Sequence, residues 1–208
     1  MYKREVAKMN PWNERFKEEK HVYGTEANKF LQEIQSKMTV SGDALAIAEG
    51  EGRNAVFLAE QGLNTTTWDY AESGLAKTRK LAESRGVTVD TRLVDLEHAV
   101  WEKNRWDEVV CIFGHFPKEV RMSTLQGVKE AIKPGGYFIT EVYSVYQLPY
   151  KSGGPRDIDF LYRPEEFLES FSGWHIPHFF MGETERFEGD LHNGLCHVIQ
   201  LVAQKPLN

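Results

Sequence analysis

Asp43-Ala-Leu-Ala-Ile-Ala-Glu-Gly-Glu-Gly-Arg-Asn-Ala-Val-Phe-Leu-Ala59 runs through three local signals in succession. Ala44 to Ala48 is a short apolar run of the length expected for a strand buried on both faces. Glu49-Gly50-Glu51-Gly52 turns the chain, and a helical pattern resumes from Asn54. Strand, glycine turn and helix in this order form the ligand-cradling unit of doubly wound α/β proteins. Glycine is needed because the backbone must bend sharply and approach a ligand with no Cβ in the way.

Two ligand classes fit such a turn. Gly50-x-Gly52-x-x-Ala55 matches the dinucleotide fingerprint, with Asp69 downstream as the ribose-binding acid. Ala48-x-Gly50-x-Gly52 matches the glycine motif of class I methyltransferases, less one glycine. A pyrophosphate on this turn would face Glu49 and Glu51, like charge against like. S-adenosylmethionine carries no phosphate, and its sulfonium and amino groups are cationic, so an acidic turn suits it. The plainer alternative is a glycine turn that closes a βα unit and holds nothing.

The chain resembles a small bacterial class I S-adenosylmethionine-dependent methyltransferase, of the group related to tellurite-resistance and thiopurine methyltransferases. The resemblance runs from Trp12-Asn-Glu-Arg-Phe16 to the last strand. It is strongest at Ala48-Glu-Gly-Glu-Gly-Arg-Asn54, Trp68-Asp-Tyr70, Lys133-Pro-Gly-Gly136 and Gly153-Gly-Pro-Arg-Asp157. It departs from the family at Ala46, where an acid is usual, and at Ala48, where a glycine is usual; Glu49 is the nearest carboxylate to stand in. The resemblance implies a cofactor-binding set of Glu49, Gly50, Gly52, Arg53, Asn54, Asp69, Tyr70, Asp95, Leu96 and Phe113. The product of the cofactor would be S-adenosylhomocysteine.

With 208 residues, 41% apolar and 27% charged, the chain fits one globular methyltransferase domain spanning 1–208. A net charge of −6 argues against a protein that grips nucleic acid as its main task. Cys111 and Cys196 stand alone, without a motif, and read as buried free thiols in a reducing compartment. The absence of a long apolar run, and an opening Met1-Tyr-Lys-Arg-Glu-Val6 without an apolar leader core, lead to the expectation of a cytoplasmic protein with no membrane segment.

Residues 1–40 are polar and helix-prone, with Pro11 starting one segment and Thr25 placed to cap a second. In methyltransferases resembling this one, such a segment lies over the cofactor. Tyr23-Gly24 is the lid candidate, an aromatic beside a hinge residue; the alternative for Trp12, Phe16 and Tyr23 is plain aromatic packing. A helix from Asn54 to Gln61 stops at Gly62, and Asn64 to Asp69 reads as the second strand. Asp69 at its carboxyl end can accept from both ribose hydroxyls, or instead cap the helix near Glu72. Tyr70 is placed to cover the adenine. Val87 to Leu93 alternates as the third strand, and Asp95 beyond it resembles the family's adenine-binding acid.

Trp106 to Phe113 reads as the fourth strand, and His115 follows it where the family places the transferring methyl. A near-neutral imidazole there would take a proton from the acceptor; the alternative is a structural histidine. A helix after Pro117, the Lys133-Pro-Gly-Gly136 turn and a fifth strand from Tyr137 to Val142 follow. The loop 143–163 is long for a compact domain, and Tyr143, Tyr146 and Arg156 make it the expected substrate side; a disordered insertion is the other reading. Trp174 to Met181 and Leu195 to Ala203 read as two strands joined by the charged segment 182–190. His175, His178, His192 and His197 lack zinc-ligand spacing, so no metal is expected.

The fold expected is therefore α/β, doubly wound and Rossmann-like. Its seven-stranded mixed sheet has five parallel strands and a C-terminal antiparallel hairpin, with helices on both faces. The activity expected is methyl transfer from S-adenosylmethionine to a small-molecule nucleophile by in-line displacement, in a monomer or homodimer. An NAD-binding oxidoreductase is the first rival, weakened by the acidic turn and by the lack of a Tyr-x-x-x-Lys pair after the fourth strand. A non-catalytic S-adenosylmethionine-binding regulator is the second, suggested by Ala46 and Ala48.

Overall fold

A computed structural model describes residues 10–207. The expectation about Met1–Val6 lies outside the described residues. The sheet is built from β1 (Asp43–Ile47), β2 (Asn64–Asp69), β3 (Val89–Leu93), β4 (Trp106–Ile112), β5 (Ile132–Tyr143), β6 (His175–Glu188) and β7 (His192–Gln204). Their order is β3-β2-β1-β4-β5-β7-β6. The first five are parallel and β7 runs antiparallel to both β5 and β6, as expected. Order reverses between β1 and β4, which opens a crevice at their carboxyl ends.

Alternation along the strands separates two cores. Leu45 and Ile47 of β1 join Val109, Cys111 and Phe138 on one face, covered by α5 (Lys118–Ala131) and α6 (Pro164–Ser170). Ala44 and Ala46 face the other way, toward α2 (Lys29–Gln35), α3 (Arg53–Glu60) and α4 (Glu72–Ser84). Small side chains on that face of β1 let α3 and α4 pack close. Gly74 of α4 shows how close: a Cβ there would stand 2.4 Å from the Gly50 carbonyl oxygen. A short α1 (Pro11–Arg15), capped by Asn10, precedes them.

Several boundaries differ from expectation for physical reasons. Asn28, not Thr25, caps α2: its Oδ1 accepts from the Leu31 N–H while its Nδ2 binds buried carboxylates. Lys133-Pro-Gly-Gly136 interrupts β5 as an irregularity rather than ending a helix before it. Gly135 turns left-handed there and pairs through its N–H with Lys205. The charged segment 182–190 is mostly strand, because Arg186 and Glu188 turn inward to buried partners while Glu183 and Glu185 turn out. Only Gly189 to Leu191 is left as the turn. The loop 143–163 is laced down by two short 3-10 turns and a Ser144–Tyr162 bridge. Cys111 and Cys196 are free and buried, and burial pushes their thiols up to about 12 and about 11.

Glu108 is a buried carboxyl inside β4 with, among the described residues, one hydrogen bond, from Gln35, and a second oxygen without a partner. Burial pushes it up to about 7 from an ordinary 4.5. The native state therefore holds its proton across a window where the unfolded chain has lost it. Its contribution to stability falls as pH rises from about 4.5 to about 7. Glu108→Gln, which mimics the protonated group, is expected to raise Tm at pH 8 by roughly 5 °C and to change it little at pH 4.5. Thermal unfolding of both proteins across pH 4.5–8 is the check.

Candidate functional site

The turn after β1 lies at the crevice and has three alternate left-handed positions, Ala48 (φ 50°), Gly50 (φ 65°) and Gly52 (φ 91°). Its form is held by hydrogen bonds from all sides. The Asp69 carboxylate, at the end of β2, accepts from the Gly50 N–H at 2.8 Å and the Ala71 N–H at 2.8 Å. One side chain thus aligns the ends of β1 and β2. Burial raises its pKa, and the donated N–H groups work against that rise. Both oxygens keep a lone pair for further donors.

The two acids of the turn point inward. Glu49 accepts from the main-chain N–H groups of Asn54 and Ala55 at 2.7 and 3.0 Å, and so caps α3 by reaching around Gly52. Burial pushes its carboxyl up to about 7. Glu51 pairs with Lys77 at 2.6 Å and accepts from the Val22 N–H at 2.8 Å. Arg53 pairs with Glu188 at 2.6 Å, and Asn54 Oδ1 accepts from the Asn28 N–H at 2.9 Å. Three of the residues expected to touch a cofactor, Glu49, Arg53 and Asn54, are therefore spent on framing the turn. The like-charge argument that favoured a cationic ligand loses its geometric basis, since neither Glu49 nor Glu51 aims its charge at the crevice.

The remaining expected residues stand at successive strand ends. Tyr70 is exposed beside Asp69. Asp95 is exposed after β3, where its carboxylate accepts from the Glu97 N–H, and Leu96 is buried beside it. Asp95, Glu97 and His98 place ligand-type atoms within 4.8 Å of one another, all on the exposed surface. Phe113 follows β4 in a left-handed conformation (φ 53°) and stacks on Tyr143 at 4.7 Å. Tyr146 and Arg156 are exposed on the 143–163 loop.

His115 does not have the geometry of a free base. Its Nδ1 lies 2.9 Å from the Phe160 carbonyl oxygen, which makes that nitrogen the donor. Nε2 is then the acceptor, and the Tyr143 N–H reaches it at 3.4 Å. Burial lowers its pKa to about 4, so the ring is neutral at physiological pH. It staples the 143–163 loop to the ends of β4 and β5.

Residues before α2 pack directly over the turn. Phe16 is buried against it: a Cβ on Gly50 or on Gly74 would stand 3.1 Å from its ring. Asn10 donates to the Tyr70 carbonyl and Asn13 binds Ser73. Tyr23 is half-buried, with its ring 4.6 Å from that of His192. Sequence reasoning missed His192, and no local pattern marks it; only the hairpin brings it to the Phe113–Tyr143 stack. It also missed the buried charges of β6. The signal there was alternation, with Arg186 and Glu188 two apart on one face.

A family model described as a methyltransferase domain matches residues 44–136. The chain is 27% identical over 146 residues to the probable S-adenosyl-L-methionine-dependent methyltransferase TehB of Haemophilus influenzae, across 69% of this chain and 48% of that one. Residues 44–136 thus match a methyltransferase domain, and the chain is similar to S-adenosylmethionine-dependent methyltransferases. It spans about half the length of the curated relatives it matches. A 2-heptyl-1-hydroxyquinolin-4(1H)-one methyltransferase of Mycobacteroides abscessus is 27% identical over 122 residues, across 57% of this chain and 54% of that one. The crystal structure of TehB from Haemophilus influenzae superposes with a TM-score of 0.71 at 19% identity, over 86% of this chain and 62% of that one. A second structure, from work on converting a disulfide into a thioacetal during echinomycin biosynthesis, gives 0.72 at 13% identity, over 91% and 86%. At these identities the two superpositions speak for the fold. No helix among the described residues is long and apolar enough to cross a membrane.

Ala48 occupies the place where the family has glycine, and it keeps the left-handed backbone of that glycine. An L-residue there carries roughly 1–2 kcal/mol of strain, and glycine's greater freedom in the unfolded chain offsets part of what its introduction would relieve. Ala48→Gly is expected to stabilise the protein by about 0.5–1 kcal/mol, and the β-branched Ala48→Val to destabilise it by more than that. Urea unfolding of the three proteins measures both.

Proposed function

We propose that this chain transfers a methyl group from S-adenosylmethionine to a small-molecule nucleophile by in-line displacement. The observation that carries the reading is the Asp69 carboxylate gripping the Gly50 N–H at the switch point, with lone pairs to spare for two ribose hydroxyls. Gly50 and Gly52 leave the main chain bare for close approach, Tyr70 and Leu96 flank the adenine, and Asp95 accepts from its amine. Phe113 closes the end nearest the reacting methyl. When bound, the cofactor supplies a methyl on a sulfonium and leaves as a neutral thioether. Residues 10–28 act as the lid, with Phe16 and Tyr23 leaving the crevice to admit ligands and returning to exclude water.

The chain's own contribution is alignment, which is worth roughly 7–11 kcal/mol when two reactants are held at near-attack geometry. His115 supplies no base in this reading, since both ring nitrogens bind main chain and its pKa is near 4. The acceptor then has to arrive already nucleophilic, as a thiolate, chalcogen anion or acidic hydroxyl. The Mycobacteroides abscessus relative is named for a substrate with a ring N-hydroxyl. The 143–163 loop forms the acceptor side of the domain.

Thermal unfolding with S-adenosylmethionine, S-adenosylhomocysteine or NAD tests the assignment. A ligand at a hundred times its Kd adds about 2.7 kcal/mol, a shift of roughly 5–10 °C for a chain of this size. A shift with both adenosyl compounds and none with NAD is expected; the reverse pattern would overturn the reading. Asp69→Ala should weaken S-adenosylhomocysteine binding by about 1–3 kcal/mol. In turnover, kcat/KM should follow the ionisation of each acceptor tried. A common inflection near pH 6.5 for all acceptors would instead point to an enzyme histidine.

A further inference from the structure

Tyr143 and His192 are the two least explained polar side chains near the crevice. Tyr143 is completely buried at the end of β5, two residues beyond Glu141 on the same face. Its Oη has no hydrogen-bond partner among the described residues, and neither does Nδ1 of His192, whose ring is also buried. Leaving such a group unpaired costs about 1–3 kcal/mol, and native proteins keep few of them without a reason. Two in one place are harder to dismiss. The rings meet edge to face at 5.5 Å. A Cβ on Gly153 would stand 2.9 Å from Tyr143 Oη and 3.1 Å from His192 Cδ2, so both border the same glycine.

The surroundings are flat and apolar. Phe113 stacks on Tyr143 at 4.7 Å and meets His192 edge-on at 4.3 Å. Tyr23 covers the far side of His192 at 4.6 Å, next to the left-handed Gly24. Gly153 and Gly154 add no side chain, and Gly154 lies flat on the Tyr143 ring. The nearby charges, Arg53, Arg186, Glu141 and Glu188, are paired with one another and leave no net charge. Burial beside the two arginines keeps His192 neutral, so it has one donor and one acceptor nitrogen to offer.

We infer that Tyr143 Oη and His192 Nδ1 are the polar anchors of the acceptor pocket, and that this pocket takes a flat aromatic molecule bearing an ionisable hydroxyl or thiol. The inference rests on the methyltransferase reading and names the substrate class for that site. Withdrawal of Tyr23 uncovers the face of His192, and the incoming ring takes the place of the Tyr23 ring against it. The two anchors then hold the polar substituent, and Phe113, at the end of β4, sets the ring beside the reacting methyl.

The test measures binding of 4-nitrophenol, and of cyclohexanol as the non-aromatic control, to protein saturated with S-adenosylhomocysteine. Wild type is expected to bind the phenol and not the alcohol. Tyr143→Phe and His192→Phe should each weaken phenol binding about tenfold while S-adenosylhomocysteine affinity stays within twofold. Tyr143→Phe removes an unpartnered hydroxyl and should melt about 2–4 °C higher than wild type, which separates lost binding from lost structure. Unchanged phenol affinity in folded variants, equal binding of cyclohexanol, or no phenol binding by wild type would overturn the assignment. Failure of S-adenosylhomocysteine to bind wild type would sink the methyltransferase reading itself, and this one with it.

Discussion

Four buried charges weld the crevice together. Glu141 of β5 is bound by Arg186 of β6, by Gln200 of β7 and by Asn28, which caps α2. Glu188 of β6 pairs with Arg53, the first residue of α3. Two acids and two bases cancel, so the interior carries no net charge. Removing any one member would strand a partner in a dry place, at a cost of about 3–5 kcal/mol. Hydrophobic layers can slide against one another; a bidentate ion pair between specific strands cannot. The network thus fixes where the hairpin lies relative to the glycine turn. It also fixes where Tyr143 and His192 stand, one strand step beyond it on β5 and one turn beyond it on the hairpin.

The glycine turn illustrates how a correct ligand class can be reached by an argument the geometry does not uphold. Glu49 and Glu51 were weighed as charges facing a ligand. Folded, one caps α3 and the other tethers Val22 through its main-chain N–H. Formal charge in a motif says nothing about direction until the neighbouring donors are known. Four N–H groups at the start of α3 need acceptors, and the Glu49 carboxylate, four residues before Arg53, supplies one for two of them. The acid of this turn therefore answers a demand of the helix first. What remains for a ligand is the main chain of Gly50 and Gly52 and the spare lone pairs of Asp69.

Much of the fold could be read from local pattern. β2 begins and ends where the β-branched run Asn64 to Asp69 does, and α4 stops before Gly86 as its apolar stripe does. Those elements are buried on faces that a 2- or 3.6-residue period makes visible. β6 was legible only in half, because its inner face carries Arg186 and Glu188. A charge in a core position looks like surface until its partner, some 45 residues away in Glu141, is in view. For the same reason the strand-end acids were found and the network was not. The aromatic cluster was found in pieces: Phe113, Tyr23 and Tyr143 were singled out, while His192 had no companion in its own neighbourhood to betray it. His115 stood at the expected strand end, but its role turned on Phe160, whose carbonyl only the laced-down loop brings near.

These pieces lead to a site whose rigid parts and movable parts have different chemistry. The rigid parts are charged: the ion network, the Asp69 grip and the Glu49 cap all draw strength from a low dielectric that makes paired groups expensive to disturb. The parts proposed to move are aromatic and glycine-rich. Phe16 and Tyr23 lie against the site through their rings, and Gly24, Gly153 and Gly154 sit in left-handed backbone. Dispersion contacts between rings are individually small and not directional, so they can be broken and remade for a modest cost. A displacement reaction with no proton to manage needs a fixed axis between donor and acceptor and a dry space around it. In the proposed reaction, charge pairs supply the axis and aromatic covers supply a space that can open.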